Sequence, residues 1–161
     1  MTTFVYTHEK ETEYQRLIKK YPNSDSMMLP ALWLVQEQQG WVSPESMIYI
    51  ANKLKKPPIE VHSVASFYTM FNLKPIGTHH IELCKTISCM LMGSRELKSH
   101  IKDTIGIEPG QTSEDGLFHL TEVECMGACG GAPALAINGK YHEKLTCDTL
   151  DKLVKECKSC K

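Results

Sequence analysis

Four cysteines stand in two tight pairs. CKTISC at 84–89 is C-x4-C, and CMGAC at 125–129 is C-x3-C. Four thiolates can close a tetrahedral zinc site or hold an iron–sulfur cluster. Structural zinc sites usually open with C-x2-C knuckles, and neither pair has that spacing. A C-x4-C pair with two distant cysteines is closer to plant-type [2Fe–2S] ligation, although the third cysteine of that motif is missing from its place. The residues favour a [2Fe–2S] cluster, with zinc binding and thiol redox chemistry as open alternatives.

The neighbours suit a cluster. Two ferric ions, two sulfides and four thiolates carry a double negative charge, and one added electron makes it triple. Such a group needs N–H dipoles around its sulfurs. Gly127, Gly130 and Gly131 allow backbone to approach closely and form an anion-binding nest. A helix starting near Gly93-Ser94 can aim its positive end at the site. Met90, Leu91 and Met126 can keep water away. Lys85 and Lys144 are placed to ease the charge, although a solvated lysine is the simpler role for each.

These residues need a frame. Residues 10–70 read as helices with capping signals. Glu9 to Lys20 is the first, stopped by Tyr21-Pro22-Asn23. Ser24-Asp25-Ser26 offers a cap for a second, from about Met27 to Gln39, with Met28, Leu29, Leu32 and Val35 as its apolar stripe. Pro30 fits only in the first turn. Ser43-Pro44-Glu45 is an N-cap, an N1 proline and an acidic first turn. The helix so started carries Met47, Ile48, Ala51 and Leu54, and Pro57-Pro58 closes it. A short helix, about Ile59 to Ser66, leads into FYTMF at 67–71, an aromatic stretch suited to packing between the halves or to docking another subunit.

The composition changes near Pro75-Ile76-Gly77. His79 to Leu83 reads as a strand running into Cys84, and Gly93 to Lys102 as a helix with Leu97 and Ile101 on one face. Gly106 to Gly116 is loop. Leu117 to Val123 alternates as a strand, with Leu117, Thr121 and Val123 on the cleaner parity. Ala134 to Ile137 and Tyr141-His142 flank Asn138-Gly139, a strong hairpin signal. Thr146 caps a last helix, about Cys147 to Glu156. The expectation is an α+β chain: a helical bundle domain over 1–75, then a small α/β domain over 76–161.

Composition excludes several classes. The 161 residues carry 18 basic and 19 acidic side chains, a formal charge of −1. That leaves no basic face for nucleic acid. With 42% hydrophobic and 23% charged residues the chain can bury a core. No apolar run approaches the ~18 residues of a membrane span. MTTFVYTHEKETEYQ reads as neither secretory signal nor transit peptide. Seven cysteines, an odd number, argue against an extracellular disulfide scaffold.

CKTISCMLMGS at 84–94 and EDGLFHLTEVECMGACGGAP at 114–133 strongly resemble the small [2Fe–2S] subunit family of respiratory NADH dehydrogenase, the E-type or 24-kDa-type component of complex I. PALWLVQEQQGWVSPESM and VASFYTMFNLKP upstream are similar to that family's helical N-terminal half. The resemblance spans roughly residues 15–155. Similar modules occur in NAD-linked hydrogenases and formate dehydrogenases. The resemblance implies a thioredoxin-like ferredoxin domain after a helical domain, and one [2Fe–2S] cluster held by Cys84, Cys89, Cys125 and Cys129. It implies a role in one-electron transfer beside a flavin- and NADH-binding subunit, among other peripheral-arm subunits. FMN and NADH would sit on that partner, and the chain would join the inner face of the cytoplasmic membrane only through the complex. The residues agree that the nucleotide lies elsewhere: no G-x-G-x-x-G follows a strand, and there is no P-loop.

Three cysteines fall outside the two motifs. Cys147 stands at a helix start, where a thiol can be acidified but more often is simply small. Cys157 and Cys160 form C-x2-C in what reads as an unstructured tail. His79 and His80 precede the first motif cysteine, but neighbours on a strand point to opposite faces and make poor joint ligands.

Overall fold

The computed structural model describes residues 4–159, and the chain divides into two units, Met1–Pro75 and Ile76–Lys161. The first unit holds α1 (His8–Ile18), α2 (Met28–Gln39), α3 (Pro44–Leu54) and α4 (Pro58–Phe67). Each boundary has a local cause. The Thr7 side chain accepts from Lys10 N–H to start α1. Ser43 accepts from Ser46 N–H at 3.2 Å to start α3, with Pro44 in its first turn. At α2 the expected serine cap is absent. Its N-cap is Met27, with no side-chain cap bond, and Asn23 instead gathers the Ser26 N–H and hydroxyl at 2.9 Å each. Pro30 lies in the first turn of α2, where a missing N–H costs little.

Leu32, Val35, Ile50, Ala51 and Val61 form the centre of this unit's core, all fully buried. Ile48 is half-exposed, and Ile50 takes the inward place expected for it. Lys53 Nζ sits over the rings of Tyr6, Tyr14 and Tyr49, 4.5 Å from the Tyr14 centroid, and pairs with Glu11 at 2.7 Å. At the end of the unit Phe71 is buried, whereas Phe67 is 77% exposed and Met70 is exposed.

The second unit contains β1 (His79–Cys84), α5 (Ile87–Leu91), α6 (Ser94–Ile105), β2 (Phe118–Val123), β3 (Leu135–Ile137), β4 (Lys140–His142) and α7 (Cys147–Ser159). The sheet order is β2-β1-β3-β4. β1 and β2 are parallel, from His79 opposite Phe118 to Cys84 opposite Val123. A parallel pair needs a crossover, supplied by α5 and α6. β3 is antiparallel to both β1 and β4. The β3–β4 turn has Asn138 at φ 50° and Gly139 at φ 78°, as its sequence predicts. Asn138 also accepts from His80 N–H at 2.8 Å and donates to the Thr78 carbonyl at 3.1 Å, tying the turn to β1.

One sheet face is packed by Leu97 and Ile101 of α6 and by Leu150 and Val154 of α7. Ile81 and Leu83 of β1 and Phe118 and Leu120 of β2 meet them there. The β2 parity is therefore the reverse of the sequence expectation: Phe118 and Leu120 point into the core, and Leu117, Thr121 and Val123 are half-buried. Large apolar residues stand on both parities of this segment, and the larger ones take the interior. The helix α5 is too short for periodicity to reveal, and only the structure shows it. Among the described residues no helix is long and apolar enough to cross a membrane.

The ring of His80 lies 5.4 Å from that of His119, centroid to centroid. Thr121 engages His80, and Thr112 engages His119. Burial pushes His80 below its ordinary 6.5. Burial, then repulsion from His80, does the same to His119. Both rings bind protons more readily once unfolded. Their stabilising contribution is thus complete above pH 6.5 and is lost as pH falls from there toward the lowered folded values. The fall in melting temperature between about pH 7.5 and about pH 5 should be shallower in a His80→Gln/His119→Gln variant. Parallel curves for the two proteins would show that these rings do not contribute.

Candidate metal centre

β1 delivers Cys84 at its C-terminal end. There the Cys84 N–H donates to the Ala134 carbonyl at 3.2 Å, and Lys85 N–H donates to the Val123 carbonyl at 3.0 Å. Cys89 follows on α5. β2 ends at Val123, and the chain turns through Cys125 into a one-turn 3-10 helix at Cys129–Gly131. The adjacent ends of two parallel strands thus launch both motifs and bring residues distant in sequence to the same end of the sheet.

Cys84, Cys89, Cys125 and Cys129 are free thiols. Cys84 and Cys89 are each 2% exposed and share one small buried group. Cys125 and Cys129 are exposed, with their Sγ atoms 3.9 Å apart. Two thiolates on one tetrahedral ion at ~2.3 Å would stand ~3.8 Å apart. The second pair already has that separation. Among the described residues no three His, Cys, Asp or Glu side chains converge as a site for one ion. The cysteines come in twos, Cys84 with Cys89 in a buried group and Cys125 beside Cys129.

Backbone and hydroxyl donors surround the sulfurs. Burial pushes the Cys84 thiol up, but the Thr86 hydroxyl and N–H, Met126 N–H and Cys89 together bring it below its ordinary value. Burial pushes Cys89 up. Cys84 and the charge of Cys129 hold it there against the Ala134 N–H. Gly127 N–H reaches Cys125 Sγ at 3.4 Å, and Gly127 has φ 77°, a conformation that favours glycine. These donors come from the motif loops and from Ala134, whereas the sequence points to the start of α6. Gly131 has a different reason: a Cβ there would run into the Glu143 carboxylate. Its lack of a side chain admits Glu143.

Ala132, Ala134, Met126 and Ala128 pack with Cys84 and Cys89, so Met126 does shield the site. Leu91 does not, being 76% exposed. Tyr141 anchors the second loop by donating to the Met126 carbonyl at 3.3 Å. Lys85 is engaged by Glu124 at 2.9 Å, and Lys144 is exposed, its N–H donating to the Gly131 carbonyl at 2.6 Å. His79 stacks against Phe118, and His80 is turned to Thr121 and His119, so the two point apart as strand geometry requires. Cys147 and Cys157 lie on α7 and pack against the sheet core. Cys157 is thus part of a helix where the sequence suggests a loose tail, and Cys160 lies outside the described residues. Neither Thr86 nor Ala134 stands out in the sequence as a site residue. A hydroxyl between two motif cysteines is the available signal for Thr86.

Residues 14–158 match the thioredoxin-like [2Fe-2S] ferredoxin family. The NADH-quinone oxidoreductase E subunit of Rickettsia conorii is 40% identical over 157 residues, covering 96% of this chain and 94% of that one. The mitochondrial NADH dehydrogenase [ubiquinone] flavoprotein 2 of Dictyostelium discoideum is 39% identical over 163 residues, covering 99% of this chain and 66% of that longer one. A chain of an NAD+-reducing [NiFe]-hydrogenase in the H2-reduced state shares the fold, with a TM-score of 0.74 and 24% identity over 84% of this chain and 22% of its own. Mixed helices around a small mixed sheet, two cysteine pairs launched from parallel strands, and a match over nearly the whole length lead to one assignment: this chain belongs to the thioredoxin-like [2Fe-2S] ferredoxin family.

Proposed function

We propose that this chain is the [2Fe–2S] electron-transfer subunit of an NADH:quinone oxidoreductase, with Cys84, Cys89, Cys125 and Cys129 as the cluster ligands. The observation that carries the reading is the arrangement of thiols as two pairs, one already at the spacing of two ligands on one ion. Relatives that are ~40% identical and named as E subunits of NADH-quinone oxidoreductase support it. When bound, a [2Fe–2S] cluster takes up or gives out one electron at a time. The chain's own residues do the rest. Cys84 and Cys89 bind from the buried side, and Met126 and the alanines exclude water there. The Gly127 N–H on Cys125 and the Thr86 hydroxyl on Cys84 supply fixed dipoles to sulfurs that bear negative charge. Cys125 and Cys129, on the exposed side, form the edge through which electrons pass to and from a partner.

That partner is the flavin- and NADH-binding subunit, which carries FMN; this chain has no complete catalytic site of its own. Residues 1–75 serve as the docking domain, where the exposed Phe67 and Met70 give an apolar contact surface. The chain reaches the inner face of the cell membrane through other peripheral-arm subunits. The hydrogenase likeness is one of fold, so the equivalent subunit of an NAD-linked hydrogenase stands second.

Metal analysis of the anaerobically purified full chain tests the reading. Two irons and two sulfides per chain, with a rhombic spin-½ signal after dithionite, are expected. Stoichiometric zinc, with no cluster recovered on reconstitution, would overturn it in favour of a zinc-stapled interaction module.

A further inference from the structure

Thr86 occupies the N-cap of α5, with the extended backbone of a capping residue at φ −84° and ψ 169°. A threonine there ordinarily turns its hydroxyl onto an N–H of the first turn. Thr86 makes no side-chain cap bond. Its Oγ1 lies 3.2 Å from Cys84 Sγ instead. Neither atom of the hydroxyl–sulfur contact is fixed as donor while Cys84 carries its proton. A thiolate ligand has no proton to give, so in the loaded protein the Thr86 hydroxyl donates.

We propose that the Thr86 hydroxyl is a positioning residue that sets the reduction potential of this centre, raising it through the hydrogen bond to Cys84 Sγ. The inference rests on the reading of the four cysteines as [2Fe–2S] ligands. Reduction adds one electron, breaks no bond and moves no proton. It makes an already negative group more so, and some of the added charge spreads onto the ligand sulfurs. A donor on a sulfur therefore stabilises the reduced form more than the oxidised form. Hydrogen bonds to sulfur are among the factors that set such potentials. Lys85 follows Cys84 directly but is held by Glu124, which leaves the adjustment on this sulfur to uncharged donors. Because the hydroxyl caps nothing, its removal should perturb α5 little and isolate the contact to sulfur.

The test is a redox titration of the full-length, cluster-loaded wild type, Thr86→Val and Thr86→Ser, followed by visible absorption and EPR, with iron and sulfide measured on each. Thr86→Val should need a roughly tenfold higher ratio of reduced to oxidised mediator for half-reduction, a lowering of about 59 mV for one electron. Thr86→Ser should return close to the wild-type potential. Iron and sulfide contents should match in all three. Equal potentials at equal cluster content would overturn the proposal. If Thr86→Val loads poorly, Thr86→Ala removes the same hydroxyl without the second methyl. If neither holds a cluster while Thr86→Ser does, the hydroxyl serves retention and the tuning role is refuted. A wild type without iron and sulfide would refute the underlying reading as well, which separates the two failures.

Discussion

Cys89→Ala should leave the chain folded and without its cluster. Cys89 is 2% exposed and shares a small buried group with Cys84, Ala132 and Ala134. In the proposed ligand set, removing its sulfur would leave one ion with a single protein thiolate, and among the described residues no other cysteine joins that buried group to substitute. Changes to residues that merely orient a metal ligand cost about 10- to 100-fold in affinity. Loss of a ligand should exceed roughly 100-fold, so iron and sulfide should fall to background after the same purification. Electron transfer through this chain in the assembled complex should fall with them. The sheet core is a separate group around Ile81, Leu83, Phe118 and Leu120, so far-UV circular dichroism should change little. Cys147→Ser is the informative companion. Cys147 packs on that core from α7, and its replacement should cost on the order of 1 kcal/mol while keeping the full iron content. Cys89→Ala protein with wild-type iron would remove this residue from the ligand set.

The site is legible where chemistry depends on residue type and local spacing. Four cysteines in two pairs are visible without any structure. So are the Ser43 cap and the Asn138-Gly139 turn, because each signal lies within a few residues and its physics is local. What cannot be read is set by distant partners. Gly131 reads as part of a cluster nest until Glu143 is found against its Cα. Tyr6, Tyr14 and Tyr49 show no pattern in the sequence, yet they surround Lys53. Thr86 carries no signal beyond its place in CKTISC. Its hydroxyl has a choice between the helix and the sulfur, and the fold decides it. The parity of β2 fails for a related reason. Leu117, Phe118, Leu120 and Val123 put apolar side chains on both faces, and only the packing of α6 and α7 shows which face is the core.

That packing makes Phe118→Ala the most damaging single change in the second unit. Phe118 is fully buried, stacks on His79 at 5.5 Å and has Lys158 Nζ 6.0 Å from its ring centroid. Truncating a buried Phe costs about 3–5 kcal/mol, from lost transfer energy and the cavity left behind. A domain of this size has about 5–15 kcal/mol in total. The melting temperature of the unit spanning Ile76–Lys161 should drop by roughly 4–8 °C for each kcal/mol lost. The damage should also reach the cysteines. Phe118 begins β2, and β2 pairs along all of β1 from His79 to Cys84 before the chain turns to Cys125. Loosening that ladder spreads the strand ends that launch both motifs, so cluster retention should fall along with stability. Leu32→Ala, in the separate core of the first unit, supplies the contrast. It should lower helix stability by about 2–5 kcal/mol and leave iron content unchanged. Urea titrations with parallel iron assays on both variants measure the difference. Equal iron loss in the two would mean that cluster retention follows stability in general. Loss confined to Phe118→Ala would tie it to the β1–β2 pair.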